Sequence, residues 1–257
     1  MRVPTTLRRL ASTVSVTVAL GALAAACGSS GSSPASLVAS ASSHLESAKT
    51  YDVDVSLETS GAFSPTHEIH AEVDAPLHLT LVTFQLGSLT LRELVAPPHL
   101  YLQVPNITTS ASPSATWYAL PTKSLTPPVG TAESSKIGQL LASVFHPKLD
   151  GHVVVSGQTC TLVTASTSLA SLEKSLGTTS LTPGVHPAGN VTVEVAISPA
   201  GYPLRVVEHV NAGQLHEVVT EDFSDFGAPL HITAPSPSHI KKISLAQLGG
   251  LLGGLGQ

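Results

Sequence analysis

Twelve histidines in 257 residues put metal and acid–base chemistry first among the possibilities to weigh. The densest group is His67-Glu68-Ile69-His70-Ala71-Glu72-Val73-Asp74, with His78 close behind. At a period of two, His70, Glu72 and Asp74 share one strand face, and such a trio chelates zinc or calcium when further groups hold the ligands in place. That face is equally the polar side of an amphipathic strand, and no compact ligand set follows it. Solvated surface is the simpler reading, and no metal or other cofactor is expected. Glu208, His209, His216 and Glu217 fall on two arms of an expected hairpin, where they would pair across it. No Gly-rich phosphate loop, Gly-x-Ser-x-Gly elbow, His-Glu-x-x-His or Cys-x-x-Cys occurs. The expectation is a non-enzymatic protein without catalytic residues.

Covalent chemistry is expected at one place, Cys27. Arg2, Arg8 and Arg9 form a basic head, Leu10 to Ala26 is free of charge, and Leu23-Ala24-Ala25-Ala26 runs directly into the cysteine. Basic region, apolar core and small residues before a cut are the layout of a secretory signal. The segment resembles a bacterial lipoprotein signal, with the leucine at Leu23 and Ala24 three places before the cysteine. The resemblance implies that residues 1–26 are removed, that lipidation of Cys27 with a diacylglycerol and palmitate anchors the chain, and that it sits on the outer face of the cytoplasmic membrane. Two acyl chains hold a protein firmly where one does not. The alternatives are ordinary secretion with an incidental cysteine, or a retained helix, for which Leu10–Ala26 is at the short end of what a bilayer needs. With Cys27 acylated, Cys160 has no partner in the chain and reads as a small buried hydrophobe.

The full chain has 12 basic and 17 acidic residues; without the three signal arginines the balance is 9 to 17, a net charge of −8. Such a surface argues against nucleic acid, whose backbone demands basic patches. It also disfavours adsorption to anionic headgroups, which leaves membrane attachment to the lipid. Only 11% of residues are charged while 42% are hydrophobic and 4% aromatic, so any apolar space is lined by Leu, Val, Ile and Ala.

The elements that would position these residues alternate in period. Residues 27–36, the acylated cysteine and a Gly/Ser run, read as a tether. Ala35 to Lys49 has helical spacing. Strand patterns follow: Tyr51, Val53, Val55 and Leu57 alternate with polar residues, as do Ile69, Ala71 and Val73, and a third run carries Leu79, Leu81 and Thr83 on one side with Thr80, Val82 and Phe84 on the other. Leu89–Val95, His99–Val104 and Trp117–Leu120 continue the series. Helical spacing returns at Ser134–Phe145 and Ser168–Leu176, and strands resume at 152–155, 159–164, 191–197, 204–210 and 214–220, with a short last segment at Leu230–Thr233. The reading is α+β: residues 37–235 as one domain built on a strongly curved antiparallel sheet, and residues 236–257 as a flexible tail.

The order of several motifs is similar to that of actinobacterial cell-envelope lipoproteins of the LppX/LprAFG type. These are His99-Leu100-Tyr101-Leu102-Gln103-Val104-Pro105 followed by Trp117-Tyr118-Ala119-Leu120; the strand pair 152–164 turning at Gly157; and Val191 to Pro235, with Pro203-Leu204-Arg205, Asp222-Phe223 and Asp225-Phe226-Gly227-Ala228-Pro229. The resemblance implies a half-barrel related to the periplasmic lipoprotein carriers, with helices covering the concave face of the sheet. It further implies binding or transfer of acylated lipids or glycolipids in the cell envelope, with an envelope transporter as a further partner. On that reading Val53, Val55, Leu79, Leu81, Leu102, Val193 and Val195 form the cavity wall, and Leu140, Leu141, Val144, Leu169 and Leu172 the helical cover. Trp117 would be a structural anchor, and Arg205 a surface or mouth residue within reach of a headgroup. The alternative is a scaffolding envelope lipoprotein with a filled core that binds a protein partner.

Overall fold

The computed structural model describes residues 33–60, 67–86, 89–103, 117–121, 146–176, 188–213, 215–244 and 247. Helix α1 (Pro34–Ser47) starts where expected: Ser33 is the N-cap, its hydroxyl accepts from the Ser36 amide at 3.1 Å, and Pro34 fills the first turn. It ends at Ala48, and Lys49 turns the chain through a φ of 66° into β1 (Thr50–Ser60). There follow β2 (His67–Asp74), β3 (Leu79–Leu86), β4 (Leu89–Ala96), β5 (His99–Gln103), β6 (Trp117–Pro121), β7 (Lys148–Val155) and β8 (Gln158–Ser168). Helix α2 (Leu169–Leu176) precedes β9 (Gly189–Ile197), β10 (Pro203–Ala212), β11 (Leu215–Ser224) and β12 (Ile240–Lys242).

Among the described residues these strands make one curved, unclosed sheet in the order β12-β6-β5-β4-β3-β2-β1-β11-β10-β9-β8-β7. Neighbours are antiparallel, apart from β12, which runs parallel to β6. Two hairpin series, β1–β6 and β7–β11, are joined where β1 pairs with β11. The α+β expectation of one large curved sheet is met, with two helices among the described residues.

Register assigns every residue to a face, because directly opposed residues point the same way. On the face that receives the helices, Val163, Val195, Val206, Glu221, Val55, Ile69, Phe84 and Leu91 form one row running from β8 to β4. A parallel row runs Phe223, Val53, Ala71, Val82, Glu93, Leu102 and Tyr118. Ala41 and Leu45 of α1 pack onto Val53, Val193, Val195, Val206 and Phe223, all buried, with Leu169 and Leu172 of α2 against the same cluster.

Two expectations about the chain's end are corrected. Leu230–Thr233 forms no strand, although Ile232 is buried. Ile240–Lys242, assigned to the tail, pairs with Trp117–Ala119 as β12. Gly227 is hydrogen-bonded to Thr50 at the start of β1, so the chain between there and Ile240 has to pass β2 to β5 to reach β6.

Two glycines are dictated by close approach. A Cβ on Gly189 would run into the Asn211 carbonyl oxygen on β10, and one on Gly201, whose φ is +89°, would lie 2.9 Å from Nε2 of His44 on α1. His44 meets the Tyr202 ring edge-on at 5.4 Å, and Tyr202 stacks on Phe226 at 4.5 Å, so this turn is where α1 is latched to the sheet. Gly189→Ala is expected to destabilise the fold by about 2–4 kcal/mol, since backbone rather than a flexible side chain must yield. Urea unfolding of the two proteins measures it, and an unchanged midpoint would refute the close approach.

Candidate functional site

The helix-side face is mostly aliphatic, and its cover is uneven. Val163, Val193, Val195, Val206 and Phe223 on the β8–β11 half are between 0% and 7% exposed. The described packing of α1 and α2 falls on β7–β10. On β2–β6 the same face carries Ile69, Val82, Phe84, Leu91 and Leu102, all half-buried, and Leu120, which is buried. A continuous aliphatic surface thus passes from beneath the helices to a region that no described helix covers.

Register sorts the expected wall residues. Val53, Val55, Leu102, Val193 and Val195 lie on this face, and Leu169 and Leu172 join its core cluster. Leu79 and Leu81 do not: they oppose Asp74 and Glu72, on the other face of the sheet. The β3 residues that belong to the wall are Thr80, Val82 and Phe84. Both sides of that strand are apolar, so periodicity offered no way to choose between them. Leu140, Leu141, Val144 and Cys27 lie outside the described residues.

The opposite face holds the polar clusters, and their groups are engaged with one another. His70 Nδ1 is 2.7 Å from Asp54 Oδ1. Asp74 Oδ1 accepts from the Leu77 amide at 3.1 Å, closing the β2–β3 turn. Among the described residues no three His, Cys, Asp or Glu side chains converge in a way that could hold a metal ion. Arg205 donates from Nε and an Nη to the two carboxylate oxygens of Asp222, at 2.6 and 2.9 Å. It therefore faces away from the helix-side surface and is not placed to meet a headgroup there. A groove of about 370 Å³ on this side is lined by Asp54, His70, Asp222 and their neighbours. Trp117 is half-buried between Gln103 and Ile240. Cys160 is fully buried beside Val155, Ala196 and Leu204.

The expected pairing of Glu208, His209, His216 and Glu217 is also corrected. Alternation sends His209 and His216 to the polar face, where His209 lies 3.8 Å from Glu194 and His216 Nδ1 lies 2.6 Å from Asn211 Oδ1. Glu208 and Glu217 go to the helix side. Glu221 and Glu93 join them, and all four sit among aliphatic neighbours. Burial pushes the Glu208 carboxyl up to about 7, helped by the nearby Glu217. Burial likewise raises Glu93 and Glu217, and it pushes the Tyr51 phenol up to about 12 with a contribution from Glu221. Sequence reasoning passed over these glutamates, yet they carry a signal. Glu208 falls in phase with Leu204, Val206 and Val210, and Glu221 with Val219 and Phe223: each is an acid at an apolar beat.

No protein-family model matches the chain, and no curated protein matches it. Solved structures do. LprF from Mycobacterium bovis superposes with a TM-score of 0.50 at 14% identity, over 80% of this chain and all of that one. The fold is that of LprF. The lipoprotein LppX from Mycobacterium tuberculosis matches over 78% of this chain and 98% of its own, with a TM-score of 0.48 and 16% identity. The motif order read from the sequence thus pointed to the right fold, LprF-like, at an identity too low to carry more than the fold.

The raised Glu208 carboxyl makes stability depend on pH with a definite sign. Well below pH 4.5, folded and unfolded chains both hold this proton, so there is no penalty. Between about 4.5 and 7 the unfolded chain releases it first and the fold loses stability, and above 7 the loss is complete. For Glu208→Gln the stability difference from the parent should shift in the variant's favour by about 2–3 kcal/mol between pH 4.5 and 8. Urea unfolding at both pH values reads it, and a difference independent of pH would contradict the burial of the charge.

Proposed function

We propose that this protein is a membrane-anchored carrier that binds acyl chains of lipids or glycolipids against the helix-side face of its sheet, within the cell envelope. The observation that carries the reading is the aliphatic row that leaves the cover of α1 at β11 and continues half-buried through Ile69, Val82, Phe84 and Leu102. An apolar surface of that extent on a net-negative chain needs an occupant or a lid. A hydrocarbon chain suits it, since each buried methylene contributes about 0.8 kcal/mol without any directed polar contact. Two further observations support it: the LprF-like fold and the lipoprotein-like signal pattern ending at Cys27. The anchor and the apolar face then divide the work. Two chains on Cys27 hold the protein at the bilayer, and the face takes up a third party's chains.

Protein purified without detergent from a bacterial envelope, extracted with organic solvent and analysed by mass spectrometry, should release acyl lipid. Val82→Gln and Leu102→Gln should lower the yield several-fold, whereas Thr83→Gln, on the opposite face of β3, should leave it unchanged. A parent protein that releases no acyl lipid would favour the filled-core scaffold instead. Cys27→Ala should move the protein from the membrane fraction to the soluble one, and persistence at the membrane would exclude the lipid anchor.

A further inference from the structure

The face opposite the helices changes character along the sheet. One row across it reads Ser224, Asp52, Glu72, Leu81, Leu94, Tyr101 and Ala119, polar on β11, β1 and β2 and apolar on β3 to β6. Leu94 is 1% exposed and Ala119 4%. Glu93 and Val95, which flank Leu94 and point to the helix side, are only half-buried. At this point β4 is covered more closely on the side away from α1 and α2. The segment after β11 supplies a cover. Gly227 and Ala228 are fixed to Thr50 at the start of β1, and Ile240 lies beside Trp117 on β6. A line between those points crosses β2 to β5 diagonally, from one side of the Leu94 row to the other. The diagonal is about 28 Å, and the chain from Ala228 to Ile240 extends to about 40 Å. Within it Ile232 is 8% exposed, while His231, Thr233 and Ala234 beside it are exposed.

We propose that residues 229–239 form a strap over the Leu81–Leu94–Tyr101–Ala119 row, pinned by Ile232, and that this strap lifts as a unit of its own, baring the row and releasing β12 from the edge of β6. Between its fixed ends the strap has one 3-10 turn, Pro237–His239, and one buried side chain. Its far end, β12, is three residues long with Lys241 and Lys242 exposed, and it pairs in parallel, the weaker arrangement. Local opening is drawn from segments of this kind, with few buried apolar contacts and a backbone that faces solvent. The strap also gives a reason for the double-sided apolarity of β3: Val82 and Phe84 serve the helix side, and Leu81 lies under the strap. Once bared, the row is an apolar surface beside an unpaired strand edge, a combination that invites pairing with another extended chain. The strap and β12 therefore guard this end of the sheet until they lift. The step concerns the face opposite the one assigned to lipid, so the two readings stand or fall separately.

Two reporter variants at adjacent residues of β4 test this, Leu94→Cys on the strap side and Val95→Cys on the helix side. Each is made alone and together with Ile232→Ser, and maleimide labelling of the purified protein is followed peptide by peptide by mass spectrometry. The thiol at position 94 should label about tenfold faster once Ile232→Ser is present, since burial of one isoleucine side chain is worth about that much in population. The thiol at position 95 should keep its rate, and Cys160, fully buried in the other half, should stay unlabelled throughout. An unchanged rate at position 94 would overturn the strap's place on this face, as would a gain confined to position 95. Equal gains at positions 94, 95 and 160 would make Ile232 part of the general core and overturn the separate lifting.

Discussion

The pairing of β1 with β11 is the constraint on which the rest of the molecule depends. It joins the strands nearest the two ends of the domain, and without it the sheet would be two separate hairpin series. Its register sets Val53 against Phe223 and Val55 against Glu221, which aligns the rows of both halves into continuous bands. A slip by one residue would turn Val53 and Val55 to the polar side and bring Asp52 and Asp54 under α1. The position is held from both directions: Gly227 and Ala228 hydrogen-bond to Thr50 at one end, and Ser60 to the His216 carbonyl at the other. Long-range seams of this kind are costly to form in loop entropy, and burial of Val53 and Phe223 in the core cluster under α1 offsets part of that cost.

The helices add a polarity to the sheet. Ala41 and Leu45 of α1 seal the β9–β11 region into a packed core, with the His44–Tyr202–Phe226 stack closing the end nearest the β9–β10 turn. The same bands continue onto β2–β6 without that described cover. One sheet thus joins a half packed under the described helices to a half whose helix-side residues are mostly half-buried, with Leu120 on β6 buried. The glutamates work against stability within this scheme. Glu208 and Glu221 are buried at positions where valine would pack, as Val206 does next to them. Their presence marks places where stability gives way to another requirement.

On the opposite face, polar side chains pair across neighbouring strands. Arg205 with Asp222, His70 with Asp54 and His209 with Glu194 each sit across neighbouring strands. Of the histidines that first suggested chemistry, His70 and His209 lie against carboxylates and His216 against Asn211.

Much of this was legible in the residues themselves. Alternation at Tyr51–Leu57, at Ile69–Val73 and at Val191–Ile197 marks strands with one apolar side, and Ser33-Pro34 marks a helix start, because these patterns depend only on local geometry and on the cost of burying polar groups. The curved-sheet class and the strand order within hairpins are of the same local kind. Which strands face which way across the sheet is not local. Leu79 and Leu81 were grouped with Val53 because β3 is apolar on both sides, and only its register against Ala71 and Glu72 separates the two faces. Ile240–Lys242 looked like tail because three residues carry no pattern of their own, and they become a strand only by borrowing the open edge of β6. Glu208 shows the same division most clearly. Its place at an apolar beat was visible in the chain, but that the beat points into a shared surface with Glu217 and Glu221 depends on pairing between strands, which distant parts of the chain decide together.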